Sequence, residues 1–113
     1  MMSLDKINSL LTALSTNPFY QNKLNGLTSV SSLEEYSEKV PFTTKAELAA
    51  DQKLNPPYGS NLTFPLETYH RFHQTSGTSG QPMIWLDDKA GWEWLCENWA
   101  WVWEKAGVTP GQA

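Results

Sequence analysis

The sequence predicts an α+β fold with three parts in order. Several N-terminal helices come first, then a short β-hairpin carrying a loop rich in glycine and hydroxyl residues, and then one long tryptophan-rich helix. Three observations carry this. Helix-capping residues precede apolar stripes at helical spacing through the first half of the chain. Strand-like stretches appear only on either side of the loop. Leucine occurs 13 times while valine and isoleucine together total six, so strands should be few. With 113 residues and an apolar share of 40%, the chain has material for one core and is no disordered polymer.

Leu4, Ile7, Leu11 and Leu14 make the first helical stripe, with Ser3 as N-cap and Asn17-Pro18 as the stop. A short helix over 18–24 follows and is closed by Asn25-Gly26. Ser32-Leu33-Glu34-Glu35 reads as a capping box opening a helix to about Lys39, and Thr44-Lys45-Ala46-Glu47 as a second, opening a helix to about Lys53. Asn55-Pro56-Pro57-Tyr58-Gly59 is a turn. Alternation over 68–74 places Tyr69, Arg71 and His73 on one face and His70 and Phe72 on the other, and a second strand is expected over 82–86. Asp87 or Asp88 then caps a helix to about Ala106, which Gly107 ends.

On that last helix Trp92, Leu95, Cys96, Trp99, Trp103 and Ala106 form one apolar stripe. Trp94 and Trp101 lie nearly opposite, and Glu93, Glu97 and Glu104 share a sector that must face water. A helix apolar on two sides is expected between two layers. The first ~85 residues are expected to supply one layer, burying Cys96 as an inert thiol, and the other layer is expected to be missing. The chain is therefore expected to be an incomplete piece that self-associates through the stranded tryptophans.

Composition narrows the function classes. A net charge of −4 argues against nucleic acid, whose binding depends on Lys and Arg neutralising phosphates. No apolar run reaches the ~18–20 residues of a membrane span, and no secretory signal is visible, so a cytoplasmic location with no membrane partner is expected. The single cysteine excludes an internal disulfide and a Cys-rich zinc site. His70 and His73, three apart on a strand, face opposite ways, so no metal site is assigned. Asn61-Leu62-Thr63 matches a glycosylation sequon and is taken as chance without a secretory signal.

The candidate site is Thr75-Ser76-Gly77-Thr78-Ser79-Gly80-Gln81. Glycines allow positive φ and close backbone approach, and successive amide N–H groups make a concavity that binds anions. Ser76, Thr78 and Ser79 add donors without bulk or negative charge, which suits a triphosphate. Spacing alone does not separate this reading from a polar loop joining two strands. The loop is neither a Walker sequence nor a Gly-x-Gly-x-x-Gly fingerprint.

Arg71-Phe72-His73-Gln74-Thr75-Ser76-Gly77-Thr78-Ser79-Gly80-Gln81-Pro82 resembles the Arg-x-His-x-Ser-Ser-Gly-Thr-Thr-Gly-Lys-Pro signature of the phenylacetate–CoA ligase family. Val40-Pro41-Phe42-Thr43-Thr44-Lys45-Ala46-Glu47-Leu48 resembles the upstream Leu-Pro-Phe-Thr-Thr-Lys-x-x-Leu segment of the same family. The resemblance implies an N-terminal portion of an AMP-binding, adenylate-forming α/β domain. It implies ATP with Mg2+ and coenzyme A as cofactors, and a carboxylic acid, aryl or arylacetic in type, as substrate. The acid is activated as an acyl-adenylate and passed to coenzyme A. The phosphate-cradling role falls by resemblance on Thr75, Ser76, Gly77, Thr78, Ser79 and Gly80. Gln81 stands where the family commonly has lysine. The family's adenine, magnesium, hinge and catalytic-lysine motifs lie downstream, so the catalytic residues are unassigned and the chain alone is expected to be inactive. Two alternatives stay open: an adenylating enzyme with a different acyl acceptor, such as a carrier protein, and a standalone tryptophan-rich interaction module.

Overall fold

The computed structural model of the chain describes residues 3–77, 80 and 82–111. Helix α1 (Leu4–Ala13) starts where the Ser3 hydroxyl accepts the Lys6 N–H, and runs into a 3-10 turn over Leu14–Thr16. Helix α2 (Pro18–Leu24) has Asn17 as N-cap and proline in its first turn, and ends where Asn25 adopts the left-handed conformation at φ 48°. Helix α3 (Leu33–Lys39) and helix α4 (Lys45–Leu54) follow. A 3-10 turn over Leu66–Thr68 leads into strand β1 (Tyr69–Gln74), which pairs antiparallel with strand β2 (Ile84–Asp88). Helix α5 (Lys89–Lys105) begins directly from β2, with Asp88 accepting the Gly91 N–H.

Two elements differ from expectation. Only Thr44 closes a full capping box with Glu47. At α3 the Ser32 hydroxyl accepts the Glu35 N–H, but the Glu35 carboxylate reaches past Ser32 to the N–H and hydroxyl of Ser31. Strand β2 lies two residues further along than 82–86. Proline has no N–H to give a ladder, and the Met83 N–H is taken by a threonine hydroxyl, so regular pairing starts at Ile84. The two strands are also irregular between Tyr69 and Arg71, where the register shifts.

The core is small and N-terminal. Ile7 and Leu11, four apart on one face of α1, are buried with Leu24 and Val30, and Leu4, Leu14, Tyr20, Leu27, Tyr36 and Val40 pack against them. Side-chain amides finish what this core cannot. Asn8 donates to the Val30 carbonyl and accepts the Val30 N–H, at 3.0 and 2.8 Å, giving that extended segment a partner without a strand. Asn17 is 1% exposed. Its Oδ1 accepts the Tyr20 N–H, while its Nδ2 donates to Asn61 Oδ1 at 2.8 Å and Thr63 Oγ1 at 3.1 Å. The helical half and the segment entering the hairpin therefore share one saturated amide. Helix α2 is joined to the start of α4 through Tyr20 and Thr43 hydroxyls, 3.0 Å apart, and through the Lys23–Glu47 ion pair.

Helix α5 is not layered as expected. It touches the hairpin with its first turn, and within it only Gly91 and Trp92 are half-buried. The helix leaves the hairpin after Trp92, so no layer of the N-terminal part lies against the stripe from Leu95 to Trp103. Cys96 is accordingly exposed, not buried. Trp94 and Trp101 are 62% and 60% exposed. No helix among the described residues is long and apolar enough to cross a membrane.

Two stability predictions follow from these contacts. Asn17→Ala removes a cap and strands two polar partners, and should cost about 2–4 kcal/mol in a denaturant titration. Asn17→Asp, an equally good cap, should rescue little of this because the donor to Asn61 and Thr63 is gone.

The Lys23 ammonium holds the Glu47 carboxyl at about 2, below its ordinary 4.5, with help from the Thr44 N–H and hydroxyl. Glu35 is held at about 2 in the same way, first by Lys39 and then by Ser31. A carboxyl with a depressed folded-state pKa stabilises the fold above 4.5, and that contribution is lost as pH falls through about 2. Stability should therefore decline across this window, and Glu47→Gln with Glu35→Gln should flatten the decline in thermal melts taken at a series of pH values.

Candidate anion-binding loop

The hairpin holds the candidate loop at its tip and fastens it at the base. Thr75 N–H donates to the Met83 carbonyl at 2.9 Å, and the Met83 N–H donates to Thr75 Oγ1 at 2.8 Å. Met83 is 2% exposed, so this reciprocal pair is anchored in apolar surroundings. One residue beyond, Gln52 of α4 closes on both backbone groups of Ile84: its Nε2 donates to the carbonyl at 2.7 Å and its Oε1 accepts the N–H at 3.0 Å. The amide thus acts as a one-residue third strand along the outer edge of β2. Asp51, next to it, accepts the N–H and hydroxyl of Ser60 at 2.7 and 2.5 Å and fixes the turn after α4.

Within the loop Gly77 has φ +70° and Gly80 φ +150°. The Gly80 N–H donates to the Gly77 carbonyl at 3.2 Å, folding the tip back on itself. A Cβ on Gly77 would lie 2.9 Å from Pro82 Cγ and 3.0 Å from the Gly80 carbonyl oxygen, so both conformation and space require glycine there. Among the described residues no protein acceptor engages the Ser76 and Gly77 N–H groups, and Ser76 is exposed. Thr78, Ser79 and Gln81 lie outside the described residues. The described part of the loop, 75–77 and 80, is thus uncharged and tied at its base to Met83. The Thr75 hydroxyl oxygen is committed to Met83, which makes Thr75 a part of that base.

Arg71 and His73 share a face, as the alternation implies, and both lie against Trp92 at the start of α5. The Arg71 guanidinium is 4.9 Å from the ring centroid, and the His73 imidazole stacks on the ring at 5.1 Å. His73 Nε2 is 3.2 Å from Asp87 Oδ2 without forming a hydrogen bond, and it has no other hydrogen-bond partner among the described residues. This cluster secures the hairpin to α5 behind the loop. The upstream motif is structural too: Thr43 bonds Tyr20, Thr44 caps α4, and Phe42 is exposed on the surface. Among the described residues no three His, Cys, Asp or Glu side chains converge as a metal site would require. Sequence reading missed Gln52, whose partner is 32 residues away, and Asp51 and Met83, whose bonds to Ser60 and Thr75 follow no helix or strand period.

No protein-family model matches the sequence, and no curated protein matches it significantly. Solved structures do. The architecture is that of a segment of an adenylate-forming enzyme domain, and the structural neighbours are acid–CoA ligases. In particular, the chain is similar to 2-hydroxyisobutyryl-CoA ligase. The open conformation of that enzyme, in complex with 2-HIB-AMP and CoA, superposes with a TM-score of 0.82 at 26% identity over 96% of this chain and 26% of that one. Its postadenylation state with 2-HIB-AMP gives 0.77 at 26% identity over 96% and 24%. The thioesterification state with 2-HIB-AMP and CoA gives 0.73 at 28% identity over 84% and 21%. The chain spans about a quarter of the length of the structures it matches.

The base of the loop can be tested directly. Thr75→Val leaves the Met83 N–H without its acceptor, at a cost of about 1–3 kcal/mol, whereas Thr75→Ser keeps it. Hydrogen exchange at the Met83 amide should accelerate roughly 5- to 150-fold in the valine variant. It should stay near the parent rate in the serine variant.

Proposed function

We propose that this chain is the N-terminal portion of an adenylate-forming domain of an AMP-forming acid–CoA ligase, and that residues 75–81 hold the β- and γ-phosphates of ATP. The match to 2-hydroxyisobutyryl-CoA ligase over nearly the whole chain carries the reading. The Gly77 conformation supports the role of the loop, as does the lack of an acceptor for the Ser76 and Gly77 N–H groups among the described residues. A carboxylate oxygen attacks the α-phosphorus of ATP, the bond to the bridging oxygen breaks, and pyrophosphate leaves. The thiol of coenzyme A then attacks the acyl carbon, and AMP leaves.

In the first step the loop holds the departing pyrophosphate in place with donors that need no reorganisation. Magnesium enters this reading with the triphosphate. The neighbours carry an aliphatic hydroxy acid, so the phenylacetate-type signature supports the chemistry and not an aryl substrate. Coenzyme A is favoured over a carrier protein as acceptor because the neighbours are CoA ligases. A cytoplasmic location suits such small-molecule chemistry.

The experiment is a chimera in which residues 68–88 replace the equivalent hairpin of 2-hydroxyisobutyryl-CoA ligase. It should retain acid-dependent pyrophosphate exchange. Ser76→Ala within it should slow exchange about 10- to 150-fold, the worth of one hydrogen bond to a charged group. A folded chimera whose exchange is indifferent to Ser76→Ala and Gly77→Val would remove the loop from phosphate binding.

A further inference from the structure

Gln52 is half-buried on α4, and its amide makes the only hydrogen bonds between that helix and the hairpin among the described residues. Ile84 fixes which end of the amide is which, because its N–H requires the oxygen and its carbonyl requires the nitrogen. The side chain is also braced from behind. The Gly59 N–H donates to the Asn55 carbonyl at 2.7 Å, closing the turn after α4. A Cβ on Gly59, at φ +80°, would lie 2.9 Å from Gln52 Cγ and 2.5 Å from Asp51 Oδ2. Only glycine lets that turn close so near the stem of the amide.

The contact reaches the loop through one peptide unit. The Ile84 N–H donates to Gln52 Oε1 at 3.0 Å, and the Met83 carbonyl accepts the Thr75 N–H at 2.9 Å. These two groups belong to the same planar peptide, so it cannot turn at one edge without disturbing the bond at the other. Gln52 therefore bears on Thr75, the first residue of the loop, and on Ser76 and Gly77 beyond it. The Tyr69 hydroxyl, which accepts the Thr63 and Phe64 N–H groups, holds the hairpin at the end of β1 away from the loop. Near the loop the hold falls to Gln52.

We propose that Gln52 is a positioning residue for phosphate binding: through the Met83–Ile84 peptide it sets the orientation in which Ser76 and Gly77 present their N–H groups to the triphosphate. The inference rests on the reading of residues 75–81 as a phosphate loop.

A cavity of about 60 Å³ beside the amide, lined in part by Leu48, Tyr58 and Leu86, has room for roughly two waters. Water could therefore take over the bonds in Gln52→Ala, and Gln52→Leu, closer in volume, is the variant that removes them. Hydrogen exchange on the full chain reads the geometry. In Gln52→Leu the Ile84 amide should exchange roughly 5- to 150-fold faster than in the parent. The Thr75 amide, which the side chain does not touch, should exchange at least about fivefold faster. The Tyr20 amide, held by Asn17 in the N-terminal core, should keep its rate. Gln52→Glu should lose the same protection at neutral pH. It should regain it, relative to the parent at the same pH, below about pH 4, where a protonated carboxyl again offers one acceptor and one donor. Unchanged Thr75 exchange in Gln52→Leu, or an equal loss at Tyr20, would overturn the proposal.

Function is read in a chimera carrying residues 45–88 in place of the equivalent segment of 2-hydroxyisobutyryl-CoA ligase, so that α4 and the hairpin move together. There Gln52→Leu should raise the ATP KM of pyrophosphate exchange on the order of tenfold and leave the KM for the acid unchanged. A mere loss of folded enzyme would lower kcat and move neither KM. If the ATP KM is unchanged while Ser76→Ala still slows exchange, the positioning role is overturned and the phosphate reading stands. If Ser76→Ala is silent as well, the phosphate reading falls and takes the proposal with it.

Discussion

The Gln52 amide, closed on both backbone groups of Ile84, is the contact on which the position of the loop depends. A two-stranded hairpin is marginal in water, and an unpaired edge leaves donors and acceptors to be satisfied elsewhere. Here α4 meets that demand with one side chain. This fixes the helix against β2 at the residue where regular pairing begins, next to the Thr75–Met83 pair that closes the loop. Removing the amide would free the hairpin from α4 and expose two backbone groups at once.

The same device recurs wherever a chain poor in strands must cover extended segments. Asn8 serves Val30, and Asn17 binds the entry to the hairpin through Asn61 and Thr63. The four buried apolar residues of the N-terminal core are too few to position a hairpin by packing alone. Directional amide bonds, each satisfied at both ends, carry orientation from the core outward to the loop. Those bonds end at the loop base, where Gln52 and Thr75 hold neighbouring residues of the chain entering β2.

The far end of the molecule shows the opposite economy. Helix α5 is anchored by the Arg71–Trp92–His73 stack and then leaves the hairpin with its aromatic faces exposed. A helix apolar on two sides gains little by standing in water, so its composition points to packing against something further. The chain spans only about a quarter of each structural neighbour.

The sequence alone determined the helices and their starts, because capping is a contact between residues three apart. Ser3, Ser32, Thr44 and Asp88 all cap as their positions imply, and Asn17, read as the stop of the first helix, also caps the second. It also placed the loop, since a glycine at a left-handed position leaves its mark in composition, and the motif likeness pointed to the superfamily of the structural neighbours. Tertiary structure decided where β2 begins, because that depends on which backbone groups Thr75 and Gln52 claim. It decided that Asn17 would be buried and Cys96 exposed. Those outcomes turn on a partner 44 residues away in one case, and in the other on the direction in which α5 leaves the hairpin, away from the N-terminal core. Periodicity assigns a residue to a face of its own helix, but only the rest of the fold settles whether anything lies against that face.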